Sequence, residues 1–244
     1  MAFFDHFAKS KATGLGSLIE LKTKEREFNY ITKYLNKDSE ILEIGAGQGI
    51  LANIFTQNGF NNYDVVEPND IMRNNLTNGG GIRQAKNYFI PNLQEEDASY
   101  DCIMLTHVFE HLNDCNEAKK FMSEVHRVLK PKGLVFIVCP DYMDWAKDFH
   151  GCDFTHNNIT TVRRVMELFV GENLETVTHK YTYACFEGLF GYLVSRLVKL
   201  ATFWTRGNCL EPCHNISAYI DIKAYKLRLT FSRNFSIIGQ KVSQ

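Results

Sequence analysis

The residues Ile41-Leu42-Glu43-Ile44 form an apolar run that ends in three glycines at alternate positions, Gly45, Gly47 and Gly49, before Ile50-Leu51 resumes in a helical pattern. Glycine tolerates left-handed backbone angles and lets another molecule approach the main chain, so this stretch predicts strand, tight turn and helix. The helix that follows opens with unpaired N–H groups and the positive end of its dipole. A small polar ligand is therefore expected against the turn.

The rest of the chain repeats the alternation. Strands are predicted over 41–45, 63–67, 82–85, 101–106, 134–139 and 175–181, and helices over 48–58, from Asn69 onward, over 114–129 and over 157–170. In the helix over 114–129 Phe121, Met122, Val125, Val128 and Leu129 share one face, and Pro131-Lys132-Gly133 is expected to stop it. Strands alternating with helices imply an α/β fold with a Rossmann-like, mostly parallel seven-stranded sheet flanked by helices, and a ligand crevice outside the carboxyl ends of the strands. A single domain is expected: residues 1–37 as an N-terminal helical cap, 38–182 and 225–244 as the core, and 183–224 as a helical lid or dimerisation insertion. The apolar segment 186–204 carries Glu187, Arg196 and Lys199, too many charges for a membrane span. Its two basic residues are few for membrane adhesion, so lid or homodimer face is favoured. Segments 225–231 and 234–242 read as a strand or hairpin returning to the sheet edge.

A chain of 244 residues buries enough surface to fold without staples. Its net charge of -1 lacks the basic excess that nucleic-acid binding requires. The start, Met1-Ala2-Phe3-Phe4-Asp5-His6, shows no secretory pattern, and the seven cysteines contain no Cys-x-x-Cys, so a reducing, cytoplasmic setting is expected. Cys209, Cys213 and His214 cluster in sequence but supply too few ligands for a structural zinc site, and they read as incidental.

Glu67 lies 22 residues after Gly45, where a carboxylate can accept from both hydroxyls of a ribose. Spacing alone would admit NAD. The glycines, however, read G-x-G-x-G and not G-x-G-x-x-G, and the acidic Glu43 before the turn fits an ammonium group better than a pyrophosphate. Taken with Val65-Val66-Glu67-Pro68, with Tyr100-Asp101-Cys102-Ile103 followed by Glu110-His111-Leu112, and with Val128-Leu129-Lys130-Pro131-Lys132-Gly133-Leu134, the turn resembles the motifs of class I S-adenosylmethionine-dependent methyltransferases over about residues 38–180. The resemblance implies S-adenosylmethionine as cofactor, with Gly45, Gly47 and Gly49 on its methionine part, Glu43 toward its ammonium group, Glu67 on its ribose, and Thr106 and His107 along its methionyl side. Where that family carries an acidic residue for the adenine amino group, this chain has Arg83-Gln84-Ala85-Lys86, and Gln84 is the substitute expected.

His107-x-x-Glu110-His111 also matches the inverted zinc-peptidase signature H-x-x-E-H, but that signature needs one continuous helix and these residues leave a strand. It is closer to the E-x-x-E-H of methyltransferases that act on vicinal hydroxyls, such as small-RNA 2′-O- and ubiquinone-pathway enzymes, which hold a divalent metal with a later histidine. By that resemblance the metal ligands would be His107, Glu110, His111 and His150 or His156. The metal-free reading makes His111 or His156 the general base, with Glu110 beside it. Phe109, Tyr142, Trp145, Phe149 and Phe154 could wall an acceptor pocket.

The resulting expectation is an O-methyltransferase for a small hydroxyl acceptor. The segment Asp153-Phe154-Thr155-His156 and the apolar insertion resemble methyltransferases of bacterial surface-saccharide and lipid-linked pathways. A noncatalytic nucleotide-binding Rossmann protein and an NAD-dependent oxidoreductase are the alternatives.

Overall fold

A computed structural model describes residues 14–207 and 215–242. The aromatic start and the Cys209, Cys213, His214 cluster lie outside the described residues. The order is α1 (Leu15–Ile31), a 3₁₀ turn (Thr32–Tyr34), β1 (Ile41–Ile44), α2 (Ile50–Gln57), β2 (Tyr63–Val66), α3 (Asp70–Gly79), β3 (Gln84–Lys86), β4 (Tyr100–Thr106), a 3₁₀ turn (Phe109–His111), α4 (Cys115–Val128) and β5 (Leu129–Pro140). There follow α5 (Tyr142–Trp145), α6 (Lys147–Cys152), α7 (Val162–Gly171), β6 (Leu174–Tyr183), β7 (Phe186–Glu187), α8 (Gly188–Ala201), α9 (Ile216–Thr230) and β8 (Arg233–Lys241).

One sheet, ordered β3-β2-β1-β4-β5-β8-β6-β7, runs through the protein. The pairings from β3 to β5 are parallel and those from β5 to β7 antiparallel. Among the described residues the expected seven mostly parallel strands are thus eight strands in a mixed sheet. The extra one, β7, is a two-residue edge that pairs Phe186 with Tyr183 after a turn at Ala184, where φ is 51°. The order in which strands join the sheet reverses between β1 and β4, so their parallel carboxyl ends open a crevice at that switch.

Both faces are covered, which is why β1 and β2 are buried at every position. On one face Phe55 and Phe60 of the α2 region pack on Tyr63 and Phe136 with Phe28 and Tyr30 of α1. On the other, Phe121, Met122, Val125 and Val128 of α4 join Val165 and Phe169 of α7 over β4 and β5. The helix starts are chemically marked: Asn69 Oδ1 accepts from the N–H groups of Ile71 and Met72 at 3.0 and 3.1 Å, and Asp114 Oδ1 from those of Asn116 and Glu117, both at 2.8 Å.

Three sequence expectations need correction. Residues 225–230 are helical: their apolar residues alternate, which suggested a strand, but Ile222, Tyr225 and Arg228 recur every third residue on the buried face of α9, and Asn215 caps its start. The helix expected from 157 begins only at Val162, because the Thr161 hydroxyl caps it at Arg164 N, 3.2 Å away. Pro131-Lys132-Gly133 lies within β5, whose first residue, Leu129, already pairs with Tyr100. Among the described residues no helix is long and apolar enough to cross a membrane.

Candidate active site

The glycine turn connects β1 to α2. Gly45, Gly47 and Gly49 all have positive φ, at 71°, 55° and 76°. Packing fixes two of them. A Cβ on Gly45 would lie 2.4 Å from Val108 Cγ2, and one on Gly49 2.4 Å from Leu76 Cδ2, whereas one on Gly47 would meet nothing within 4 Å. Gly45 and Gly49 are therefore glycine because Val108, in the turn after β4, and Leu76 of α3 press on them, and of the three only Gly45 lines the cavity beside the glycine turn. Gly45→Ala combines left-handed strain with a clash against a stiff β-branched neighbour, and is expected to cost about 2–5 kcal/mol in urea unfolding. Gly47→Ala carries only the backbone strain and should cost about 1–2 kcal/mol.

Glu67, buried at the end of β2, receives Gly47 N at 2.8 Å and Asn69 N at 2.9 Å. Burial raises its pKa despite these two donors. The carboxylate thus ties the tip of the turn to the start of α3, and it lines a cavity of about 550 Å³.

Glu43 is placed differently from the expectation. It is 1% exposed, accepts from the Tyr63 hydroxyl at 2.9 Å and does not line the cavity. Burial pushes its pKa up to about 7, opposed by the charge of Lys24 and the Tyr63 hydrogen bond. Lys24 reaches in from α1 to Glu27 Oε2 and Thr106 Oγ1, both at 2.9 Å. The raised folded pKa of Glu43 means that its contribution to stability is complete below its unfolded value and is lost as pH rises through about 7. Glu43→Gln removes that titration and should flatten the fall in stability between pH 5 and 8 by about 3 kcal/mol, read from urea midpoints across that range.

Along the other wall lie Tyr88, Phe89 and Ile90 beyond β3. Gln84 is not with them. It pairs with Asp64 at the beginning of β3, two residues before the carboxyl end that faces the cavity, and is exposed. Position along the strand excludes it, and sequence reading missed Tyr88 because the β3 signal was too short to fix its end.

The acidic and imidazole groups meet at the turn after β4. His107, with φ 59°, lines the cavity, and its Nδ1 lies 3.3 Å from Glu110 Oε1. That contact lacks hydrogen-bond geometry, so Oε1 of the fully buried Glu110 has no hydrogen-bond donor, while Cys139 Sγ lies 3.5 Å from Oε2. Burial raises the Glu110 pKa, but His107 and His111 outweigh it and hold the carboxyl below its ordinary value. The Asn158 amide donates to Phe109 O at 3.0 Å and Asn158 N to Glu110 O at 3.1 Å, which fixes this turn in place.

Glu110, His111 and His156 each bring one donor atom within 4.8 Å of the others, and the two imidazole centroids are 4.9 Å apart. His107 is outside this set. His111 Nδ1 lies 2.7 Å from Thr155 Oγ1, and the Thr155 hydroxyl donates to Asp153 Oδ1 at 2.6 Å. The hydroxyl proton is therefore committed to Asp153, the Nδ1–H belongs to His111, and His111 Nε2 keeps its lone pair. His156 Nδ1 donates to Phe149 O at 2.7 Å, which frees its Nε2 likewise. Burial lowers the His156 pKa, so it is neutral at neutral pH. The other candidate histidine, His150, spends Nδ1 on His156 O at 2.7 Å and only braces the loop.

Asp153 and Thr155 line the cavity, and their part in orienting His111 was not read from the sequence, although the segment itself stood out. Of the five aromatic residues expected to wall an acceptor pocket only Phe154 lines it. Phe109 packs near Phe121, Phe149 lies behind His156, Tyr142 packs on Phe149 and His150, and Trp145 donates to Arg233 O.

Comparison with known proteins places this arrangement. A methyltransferase-domain family matches residues 19–185. Ubiquinone biosynthesis O-methyltransferases of two Rickettsia bellii strains are 30% identical over 106 residues, and the matched segment spans 41% of this chain and 41% of theirs. Among solved structures, a SAM-dependent methyltransferase from Archaeoglobus fulgidus superposes with a TM-score of 0.63 at 19% identity, covering 98% of each chain. The [4+2]-cyclase SpnF has the same fold, with a TM-score of 0.63 at 13% identity over 90% of this chain and 81% of its own. The glycine turn, the buried Glu67 beside it and the match over residues 19–185 agree: the chain belongs to the methyltransferase-domain family and has the fold of class I S-adenosylmethionine-dependent methyltransferases.

Proposed function

We propose that the protein transfers a methyl group from S-adenosylmethionine to a hydroxyl oxygen of a small acceptor. The observation that carries this reading is His111, whose free Nε2 belongs to a ring that lines the same cavity as Glu67 and Gly45. Gly45, Gly47 and Gly49 would hold the methionine part of the cofactor, Glu67 its ribose, Tyr88 to Ile90 its adenine, and Thr106 and His107 its methionyl side. S-adenosylmethionine supplies an electrophilic methyl group on a sulfonium centre. The protein's own task is to align an acceptor oxygen, exclude water and take one proton. The hydroxyl proton passes to His111 Nε2, and the imidazolium that forms is balanced by Asp153 through Thr155 and by the Glu110 carboxylate. Phe154 and Phe89, both exposed, add apolar surface to the cavity lining.

The shared segment with enzymes named for ubiquinone O-methylation supports oxygen as the acceptor atom. The resemblance of Asp153 to His156 to saccharide and lipid-linked pathway enzymes supports a sugar, phosphorylated metabolite or lipid-linked hydroxyl compound. The test is formation of S-adenosylhomocysteine with a panel of such acceptors. Turnover only with amines or thiols would overturn the oxygen assignment, and calorimetry showing no binding of either S-adenosylmethionine or S-adenosylhomocysteine would overturn the cofactor.

A second reading rests on the donor set. Two imidazole Nε2 lone pairs and an orphaned carboxylate oxygen suit a divalent cation, and each imidazole is oriented by the hydrogen bond that its Nδ1 makes. Bound by Glu110, His111 and His156, such an ion would supply Lewis acidity toward the acceptor hydroxyl. Turnover that survives EDTA, with metal measured as absent by mass spectrometry, removes this reading and leaves His111 as the base.

A further inference from the structure

Helix α8 is turned inside out. Its buried positions are Gly191 and Ser195, followed by Thr202 just past its end, while Leu189, Leu193, Leu197 and Leu200 are 50–73% exposed along one stripe that continues into Trp204. The orientation is fixed by close packing. A Cβ on Gly191 would lie 2.9 Å from the Tyr183 ring and 3.1 Å from Phe186, so no larger residue can face inward there. The leucines therefore cannot roll into the core. Beside it, α9 exposes Ile216, Tyr219, Ile220 and Leu227 in the same way. A helix that buries small polar residues and presents leucine to solvent has its apolar partner outside the fold.

Charge identifies that partner. The exposed basic residues on this double face are Arg206, Lys223 and Lys226, with Arg196 paired to Asp144 of α5. Among the described residues of 188–207 and 215–227 the only acid is Asp221, whose carboxylate accepts from Arg206 N and Gly207 N at 3.0 and 2.8 Å. In a chain with a net charge of -1, the described residues of this apolar face thus carry an excess of positive charge. Two copies meeting through this face would set like net charge against like, whereas an anionic surface is attracted to it. An exposed face that carries leucines, a tryptophan, tyrosines and cations together has the composition of a helix pair lying in a membrane interface.

We propose that the outer faces of α8 and α9 dock the protein reversibly on an anionic lipid bilayer, an inference independent of the methyl-transfer reading. Docking would also place the bilayer beside the acceptor end of the site. Lys199 and Arg196 of α8 pair with Asp144 of α5 at 2.6 and 2.8 Å, and Arg228 of α9 pairs with Asp148 of α6 at 2.6 Å. Helix α6 is the element whose Phe149 carbonyl sets the His156 tautomer.

The test is flotation of the full chain with vesicles of phosphatidylcholine alone and with added phosphatidylglycerol, with sedimentation velocity in lipid-free buffer alongside. Binding to the anionic vesicles only is expected. Leu193→Glu with Leu197→Glu should lower it by about tenfold or more, with the melting curve retained because both positions are exposed. Lys223→Glu with Lys226→Glu should lower it by about tenfold and remove most of its salt dependence. No flotation with either vesicle, equal flotation with both, or flotation unchanged by the leucine pair would overturn the proposal. So would a lipid-free dimer that the leucine pair dissociates, since a second copy would then cover the face. Leu200→Gln, a milder change on the same stripe, should weaken flotation in the same direction, and a wild-type level with Leu200→Gln and with the leucine pair alike would count against it.

Discussion

His111→Ala is expected to lower turnover by about 10²–10⁴-fold while leaving S-adenosylmethionine affinity within about twofold, because the ring supplies a proton acceptor and no part of the glycine turn. The intermediate variants make the expectation specific. Asp153→Asn and Thr155→Val leave the imidazole in place but remove what holds its Nδ1–H, so each should lose less than His111→Ala. A structural role for this cluster would instead lower the melting temperature of all three in proportion to the activity lost. Single-turnover rates with saturating cofactor, measured with melting curves on the same preparations, separate the two. Full turnover by His111→Ala would remove the base assignment.

Glu67→Ala is expected to weaken S-adenosylmethionine binding by about 10–200-fold, read by calorimetry, through two losses that act together. The carboxylate is the acceptor proposed for the ribose, and it also holds the Gly47 and Asn69 N–H groups that shape the turn. Glu67→Gln tells these apart. An amide keeps one accepting oxygen but turns two donors toward main-chain donors, so it should recover little affinity if both contacts matter. Unchanged affinity in Glu67→Ala would show that the ligand lies elsewhere.

How much of this was readable beforehand depended on range. The glycine turn, Glu67, the α4 stripe and the turn carrying Glu110 and His111 were legible because each is set by neighbours a few residues away. The failures share a different cause. Whether Glu43 faces the cavity or Tyr63 depends on pairing across β1 and β2, and whether Gln84 reaches the ligand depends on where β3 ends. Asp153 and Thr155 gain their role only by meeting His111, 44 residues earlier. The strand expected at 225–231 failed because alternation of Tyr225, Leu227 and Leu229 is ambiguous when one helix face is left apolar toward solvent. That ambiguity is itself the mark of the α9 surface.

Helix α1 has a consequence for exchange of its main-chain protons. Its first turns carry Leu15, Leu18 and Leu21 exposed, and only from Lys24 onward does it bury groups: Glu27, Tyr30 and Ile31. Its two halves are thus anchored unequally, the outer by its own hydrogen bonds and the inner by the sheet. Deuterium uptake should be fast through residue 21 and approach the rate of global opening at 27–31, with the boundary at the lysine that bridges to Thr106.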